Sequence, residues 1–220
     1  MNALNKTTAA TLALLLVAAL TACTVTNEPV MGHKQLGLAG ANEPFDIVGE
    51  RSPSPVTLHS VARICLSQGR DPEAEVVLNR LVSEYADFMP AYNDLAALYL
   101  RNEMLDSAIG TLAAGLERDP ADPVLLNNLG ICHLLRNERE ESLEQFTAAA
   151  AANPVDARNR ANMAVGLAFL GRMDEAMALY LQILPPADAH WNMGVLCEAN
   201  GDFEAAGDHF MQAEKLAAAR

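Results

Sequence analysis

The sequence predicts an all-α protein, a solenoid of about five helix-turn-helix repeats, and three observations predict it. Cut at residues 55, 89, 123, 157 and 187 and stacked, the chain repeats a pattern of side-chain sizes at a 34-residue interval that is shortened once. The eighth place of every piece is small (Ala62, Ala96, Gly130, Ala164, Gly194), and so is the twentieth (Ala74, Ala108, Ser142, Ala176, Ala206). The seventh and twenty-fourth are bulky: Val61, Leu95, Leu129, Met163, Met193, then Leu78, Leu112, Phe146, Tyr180, Phe210. Gly69, Asn137, Gly171 and Gly201, which tolerate left-handed backbone, fall at the fifteenth place, where the first helix of each pair has to end.

The physical demand behind the period is close approach of two antiparallel helices. Small residues at places eight and twenty let the backbones cross, and a Leu at either would overpack the hairpin at a cost of about 1–3 kcal/mol. The first repeat, 55–88, opens on Pro55 and turns at Gly69. The second, 89–122, departs from the pattern: Asn102 comes one place early and Glu103 occupies the expected turn. Pro120 and, in the third repeat (123–156), Pro154 lie 34 residues apart and close second helices, because the residue before a proline resists helical geometry. The fourth, 157–186, is four residues short and ends in Pro185-Pro186, so its second helix should stop early. The fifth, 187–220, ends at "EKLAAAR" with no further helix to cover its last apolar face, so this end is an expected interaction site unless Asp208, Gln212 and Lys215 keep it soluble.

Residues 1–22 read as an export signal, with Lys6 near the amino terminus and an apolar run from Ala9 to Leu20 that falls short of the roughly 20 residues a bilayer span needs. Residues 23–54 follow as a Gly-, Pro-, Ser- and Asn-containing linker without helical period, and its "PFDIVG" fragment is apolar enough to dock. The signal's ending, Leu20-Thr21-Ala22-Cys23, resembles the bacterial lipobox, which implies lipidation of Cys23 as the first residue of the mature chain. Acyl chains there would anchor the protein to a membrane surface, two already being enough for stable binding. Thr24, by resemblance to enterobacterial sorting rules, favours the outer membrane.

The 34-residue pattern resembles the tetratricopeptide repeat (TPR), which implies a right-handed TPR solenoid over residues 55–220, its concave wall built from the first helix of each pair. In that family places two, five, six, nine, twelve and thirteen tend to face the groove. Place six carries Ser60, Asp94, Asn128, Asn162 and Asn192; place five carries His59, Asn93, Asn127, Ala161 and Trp191. Amides both donate and accept, so Asn at the repeat spacing suits the backbone of an extended peptide, unless these side chains bond within the scaffold instead. Val124, Ile131, Leu134, Leu135, Val165, Phe169, Trp191 and Val195 would add apolar contacts or pack against the next repeat, with Trp191 the strongest anchor candidate. TPR domains that grip a terminal carboxylate use Lys and Arg at places two, five and thirteen, where this chain offers only Arg101 and Arg158. No such clamp is expected.

Other chemistries find little support. Fifteen basic against twenty-eight acidic residues give a net charge of −13, which repels polyanions, so nucleic acid is not an expected partner. Cys65, Cys132 and Cys197 lie in separate repeats too far apart to bridge, and read as buried apolar side chains. The five histidines are dispersed, and no HExxH, CxxC, GxSxG or GxxxxGK[ST] pattern occurs. Neither metal, cofactor, small-molecule substrate nor catalysis is expected.

Lipobox, linker and repeats together resemble the small lipoproteins of secretion and pilus machines, notably the Tad-type (Flp) pilus assembly lipoprotein, with the shortened segment "LGRMDEAMALYLQILPPADAHWNMGVL" the most suggestive part. The resemblance implies a membrane-anchored adaptor in the cell envelope, facing the periplasm, that holds a secretin or pilus component. A second reading is a cell-envelope scaffold for peptidoglycan hydrolases or outer-membrane barrel assembly.

Overall fold

The computed structural model describes residues 53–219. The expected signal peptide, Cys23 and nearly all of the linker lie outside the described residues. Within them are ten α-helices and no strand: α1 (Pro55–Ser67), α2 (Asp71–Glu84), α3 (Met89–Arg101), α4 (Leu105–Leu116), α5 (Pro123–Leu135), α6 (Arg139–Ala152), α7 (Ala157–Phe169), α8 (Met173–Ile183), α9 (Pro186–Ala199) and α10 (Phe203–Ala218).

Local chemistry sets the helix ends. Prolines sit in the first turn of α1, α2, α3, α5 and α9, where their missing N–H costs nothing. Ser54 Oγ accepts the Thr57 N–H at 3.2 Å, and Asp122 Oδ1 accepts those of Val124 and Leu125 at 2.9 and 2.8 Å. Asp156 caps α7 through the Arg158 N–H in the same way, at 2.9 Å. Such caps are each worth about 1 kcal/mol.

All five turns inside the helix pairs share one geometry. A residue with positive φ follows the first helix: Gly69 at 69°, Glu103 at 60°, Asn137 at 62°, Gly171 at 77° and Gly201 at 83°. The next N–H reaches back to the helix, Arg70 to the Cys65 carbonyl, Met104 to Tyr99, Glu138 to His133, Arg172 to Leu167 and Asp202 to Cys197, all at 2.8–2.9 Å. This is the six-to-one bond of the Schellman motif, which satisfies carbonyls the helix end would leave open. Glu103 adopts it although its side chain disfavours the left-handed region, because the pairing of α3 with α4 dictates the turn.

Within each pair the helices cross at the small residues. Ala62, Ala74, Ala108, Ala164 and Ala176 are wholly buried, as is Ser142. At Gly130 an added Cβ would stand 2.7 Å from the Phe146 ring, and at Gly194 2.6 Å from that of Phe210, so only hydrogen fits. Each second helix packs in turn on the next first helix, α2 on α3, α4 on α5, α6 on α7, α8 on α9. First helices also touch one another across consecutive repeats, whereas second helices make no comparable contact, so the array curves toward the first-helix side. The short fourth repeat is accommodated by α8, which has only 11 residues and is followed within two residues by α9.

Candidate functional site: the wall of first helices

The curved inner wall is formed by α1, α3, α5, α7 and α9, and the side chains at places five and six meet across it in a regular way. Place five of one repeat bonds to place six of the next, a spacing of 35 residues. His59 Nε2 lies 2.8 Å from Asp94 Oδ2. Asn128 Nδ2 donates to Asn93 Oδ1, and Asn162 Nδ2 donates to Asn127 Oδ1 at 2.7 Å. Asp94 sets the direction of the first two links. Its carboxylate only accepts, so Asn93 turns Nδ2 toward it, at 3.1 Å, which leaves Asn93 Oδ1 for Asn128. The row stops at the next step because the place-five residue of α7 is Ala161, whose methyl offers nothing to Asn192.

The amides are therefore partly committed to the scaffold and partly open. Each bond uses one group per side chain and leaves Asn128 Oδ1, Asn162 Oδ1 and Asn127 Nδ2 without a hydrogen bond among the described residues, on half-buried side chains. Asn192, also half-buried, makes none. These acceptors and donors, held in place by their neighbours, can receive the alternating N–H and C=O groups of an extended chain with little further ordering.

The apolar candidates divide. Val124 is 51% exposed and Trp191 53%, while Val165, Leu135 and Val195 are half-buried. Phe169 is a correction: it is buried in the core with Ala168 and Tyr180, its carbonyl accepts from Arg139 Nη1 at 2.6 Å, and only 7% of its surface is exposed. Ile131 and Leu134 are buried likewise, because place nine and place twelve in this repeat turn toward neighbouring helices. Trp191 sits at the last place five among the described residues, and its ring leans on Phe210 at 5.0 Å between centroids.

The two arginines at the clamp places are matched. Arg101 pairs with Asp71, and Arg158 is held by its own N-cap, Asp156, at 2.8 Å, an arrangement that lowers the Asp156 carboxyl below its ordinary value through hydrogen bonding from Arg158. Cys65, Cys132 and Cys197 are buried free thiols, and burial pushes Cys132 up to about 12, so it stays protonated. One pairing had no counterpart in the dispersed histidines of the sequence: His190 of α9 and His209 of α10 meet Nδ1 to Nδ1 at 3.0 Å. A spacing of 19 residues across a hairpin turn is the signal that joins them. Burial, then the neighbouring His190, lowers His209, while Asp208 opposes this. Among the described residues no cluster of three or more His, Cys, Asp and Glu is arranged to hold a metal ion, and no helix is long and apolar enough to cross a membrane.

Two profiles described as tetratricopeptide repeat match the sequence, over residues 93–157 and 187–220. These two stretches carry tetratricopeptide repeats. Solved structures agree on the fold: MamA from Desulfovibrio magneticus RS-1 is 18% identical with a TM-score of 0.60, covering 76% of this chain and 96% of that one. YrrB, described as a TPR protein with an unusual peptide-binding site, is 20% identical with a TM-score of 0.58, covering 74% and 86%. A curated human relative, Protein O-mannosyl-transferase TMTC1, is 28% identical over 133 residues, which are 57% of this chain and 15% of that protein. A TPR solenoid of this kind is a scaffold for protein–protein contact, with its groove along the first helices.

Proposed function

We propose that the protein is a lipid-anchored TPR adaptor that holds an extended segment of a partner protein along the first-helix wall. The observation that carries the reading is the row of open amide groups at Asn127, Asn128 and Asn162, fixed by the cross-repeat bonds that occupy their other halves. Backbone of the partner would meet these amides, and Val124 and Trp191, both exposed, would take its apolar side chains. YrrB, of the same fold, is described as having a peptide-binding site. The sequence resemblance at Cys23 and in the shortened fourth repeat supports anchorage at the outer membrane and a secretin or pilus assembly component as the partner.

Two experiments test this. Cys23→Ser should move the protein from the membrane to the soluble fraction of the envelope, and unchanged fractionation contradicts acylation. The double variant Asn127→Ala/Asn162→Ala removes both ends of one link and so leaves no orphaned polar group. It should cut recovery of the co-purified pilus or secretion component severalfold with helicity retained. Equal recovery rejects the amide row as the binding surface.

A further inference from the structure

We propose that copies of this chain join head to tail, α1 of one seating on α10 of another through the same contact that joins the repeats within each chain. Within the chain, places three, seven and ten of each first helix lie against the preceding second helix. Ala91, Leu95 and Leu98 share a core with Leu78 and Leu81 of α2 and are at most 2% exposed. Leu125, Leu129 and Cys132 do so with Ala108 and Leu112 of α4, and Ala189, Met193 and Leu196 with Ala176 and Tyr180 of α8.

Among the described residues no helix precedes the same three places on α1. They are Thr57, Val61 and Ile64, the last two 43% and 54% exposed although their counterparts, apart from the half-buried Met163, are buried. At the opposite end none of the described residues forms a helix after α10. Phe203 is 71% exposed, and Phe210, whose counterparts Leu78, Leu112 and Phe146 are wholly buried, is only partly buried. Between them on the same face lies Gly207, where an added Cβ would meet nothing within 4 Å. The result is a notch, flanked by two aromatic rings, at the site where a β-branched side chain such as Ile64 would enter.

The two surfaces are the missing halves of one interface, carried on the two ends of one molecule, and a second copy placed at the repeat spacing covers both. Charge agrees: α1 carries Arg63 and no acid, whereas α10 carries Glu204, Asp208 and Glu214 against Lys215. A contact of this kind uses different surfaces on its two sides, so it propagates into open chains instead of closing at a dimer.

The test uses the full chain in a Cys23→Ser background. In sedimentation velocity over a concentration series, mass should grow beyond dimer as concentration rises, and Ile64→Glu should shift the midpoint at least about tenfold while leaving helicity and Tm unchanged. Orientation is read by mixing Ile64→Cys with Gly207→Cys and adding a short bis-maleimide, which should couple the two variants to each other and neither to itself. A constant monomer mass, as a partner protein or the chain's own amino-terminal segment covering α1 would give, overturns the proposal. So does an Ile64→Cys variant that couples only to itself, or an Ile64→Glu chain that associates as the parent does.

Discussion

Gly130 tests the packing logic of the whole array, because an alanine there has a calculable consequence. Its Cβ would stand 2.7 Å from Cδ1 and Cε1 of Phe146 and 3.2 Å from the Ser142 carbonyl oxygen. Carbon atoms in relaxed contact lie about 3.5–4.0 Å apart, so the ring or the helix must yield by about 1 Å. Phe146 is wholly buried and has no space to give. Overpacking of this order costs about 1–3 kcal/mol, against which alanine returns about 1 kcal/mol as the better helix former. Gly110 in α4 is the control, exposed and with nothing within 4 Å of an added Cβ, so Gly110→Ala should raise stability by about 1 kcal/mol. The gap between the two variants isolates the crossing and should be about 1–3 kcal/mol, read from urea unfolding followed by far-UV circular dichroism. Solenoids can lose repeats in steps, so equal m-values are part of the reading. Phe146→Leu added to Gly130→Ala should recover part of the loss as a coupling between neighbours. If Gly130→Ala is as stable as Gly110→Ala, the helices do not cross closely at this place and the steric account of the 34-residue period fails.

Three further outcomes follow from single residues. Glu103→Gly relieves a left-handed side chain worth about 1–2 kcal/mol of strain and costs about 0.5–1 kcal/mol in unfolded-chain entropy, so the urea midpoint should rise modestly, and a fall contradicts the turn assignment. Ser142 is wholly buried with no partner for its hydroxyl, at the place where four other repeats carry Ala, so Ser142→Ala should gain about 1–2 kcal/mol in the same assay. His209 is lowered in the folded protein from its ordinary 6.5, so below that pH the unfolded chain binds a proton the folded one does not. Stability should therefore be full above about pH 6.5 and decline as pH falls toward the folded value, and the decline should lessen in His209→Gln.

The fold was legible because its cause is local and periodic. Ala62, Gly130 and Gly194 had to be small, and Gly69, Gly171 and Gly201 had to turn, whatever surrounded them. Glu103 took its left-handed turn against its own preference because the helices on either side fix the path. The candidate site was legible only to the level of the helix face. Places five and six do share a wall, but the 35-residue pairing of Asn93 with Asn128 and Asn127 with Asn162 needs the repeats stacked in register before it shows. Phe169 lies off the wall for the same reason: it turns into the core, and helix rotation is set by its neighbours and not by its place in the period. The His190–His209 contact shows only once the turn between α9 and α10 is placed, since its 19-residue spacing then sets the two rings on facing helices.

The central claim is that a partner lies along the first helices. Its most direct test is a photo-reactive amino acid placed at Val124, exposed on α5 of the wall, and separately at Ala113, exposed on α4 of the outer layer, with irradiation in intact cells. The account predicts a discrete adduct to another protein from position 124 that is lost in Asn127→Ala/Asn162→Ala, and none from position 113. An adduct from 113 with none from 124 would place the partner on the outer layer and contradict it.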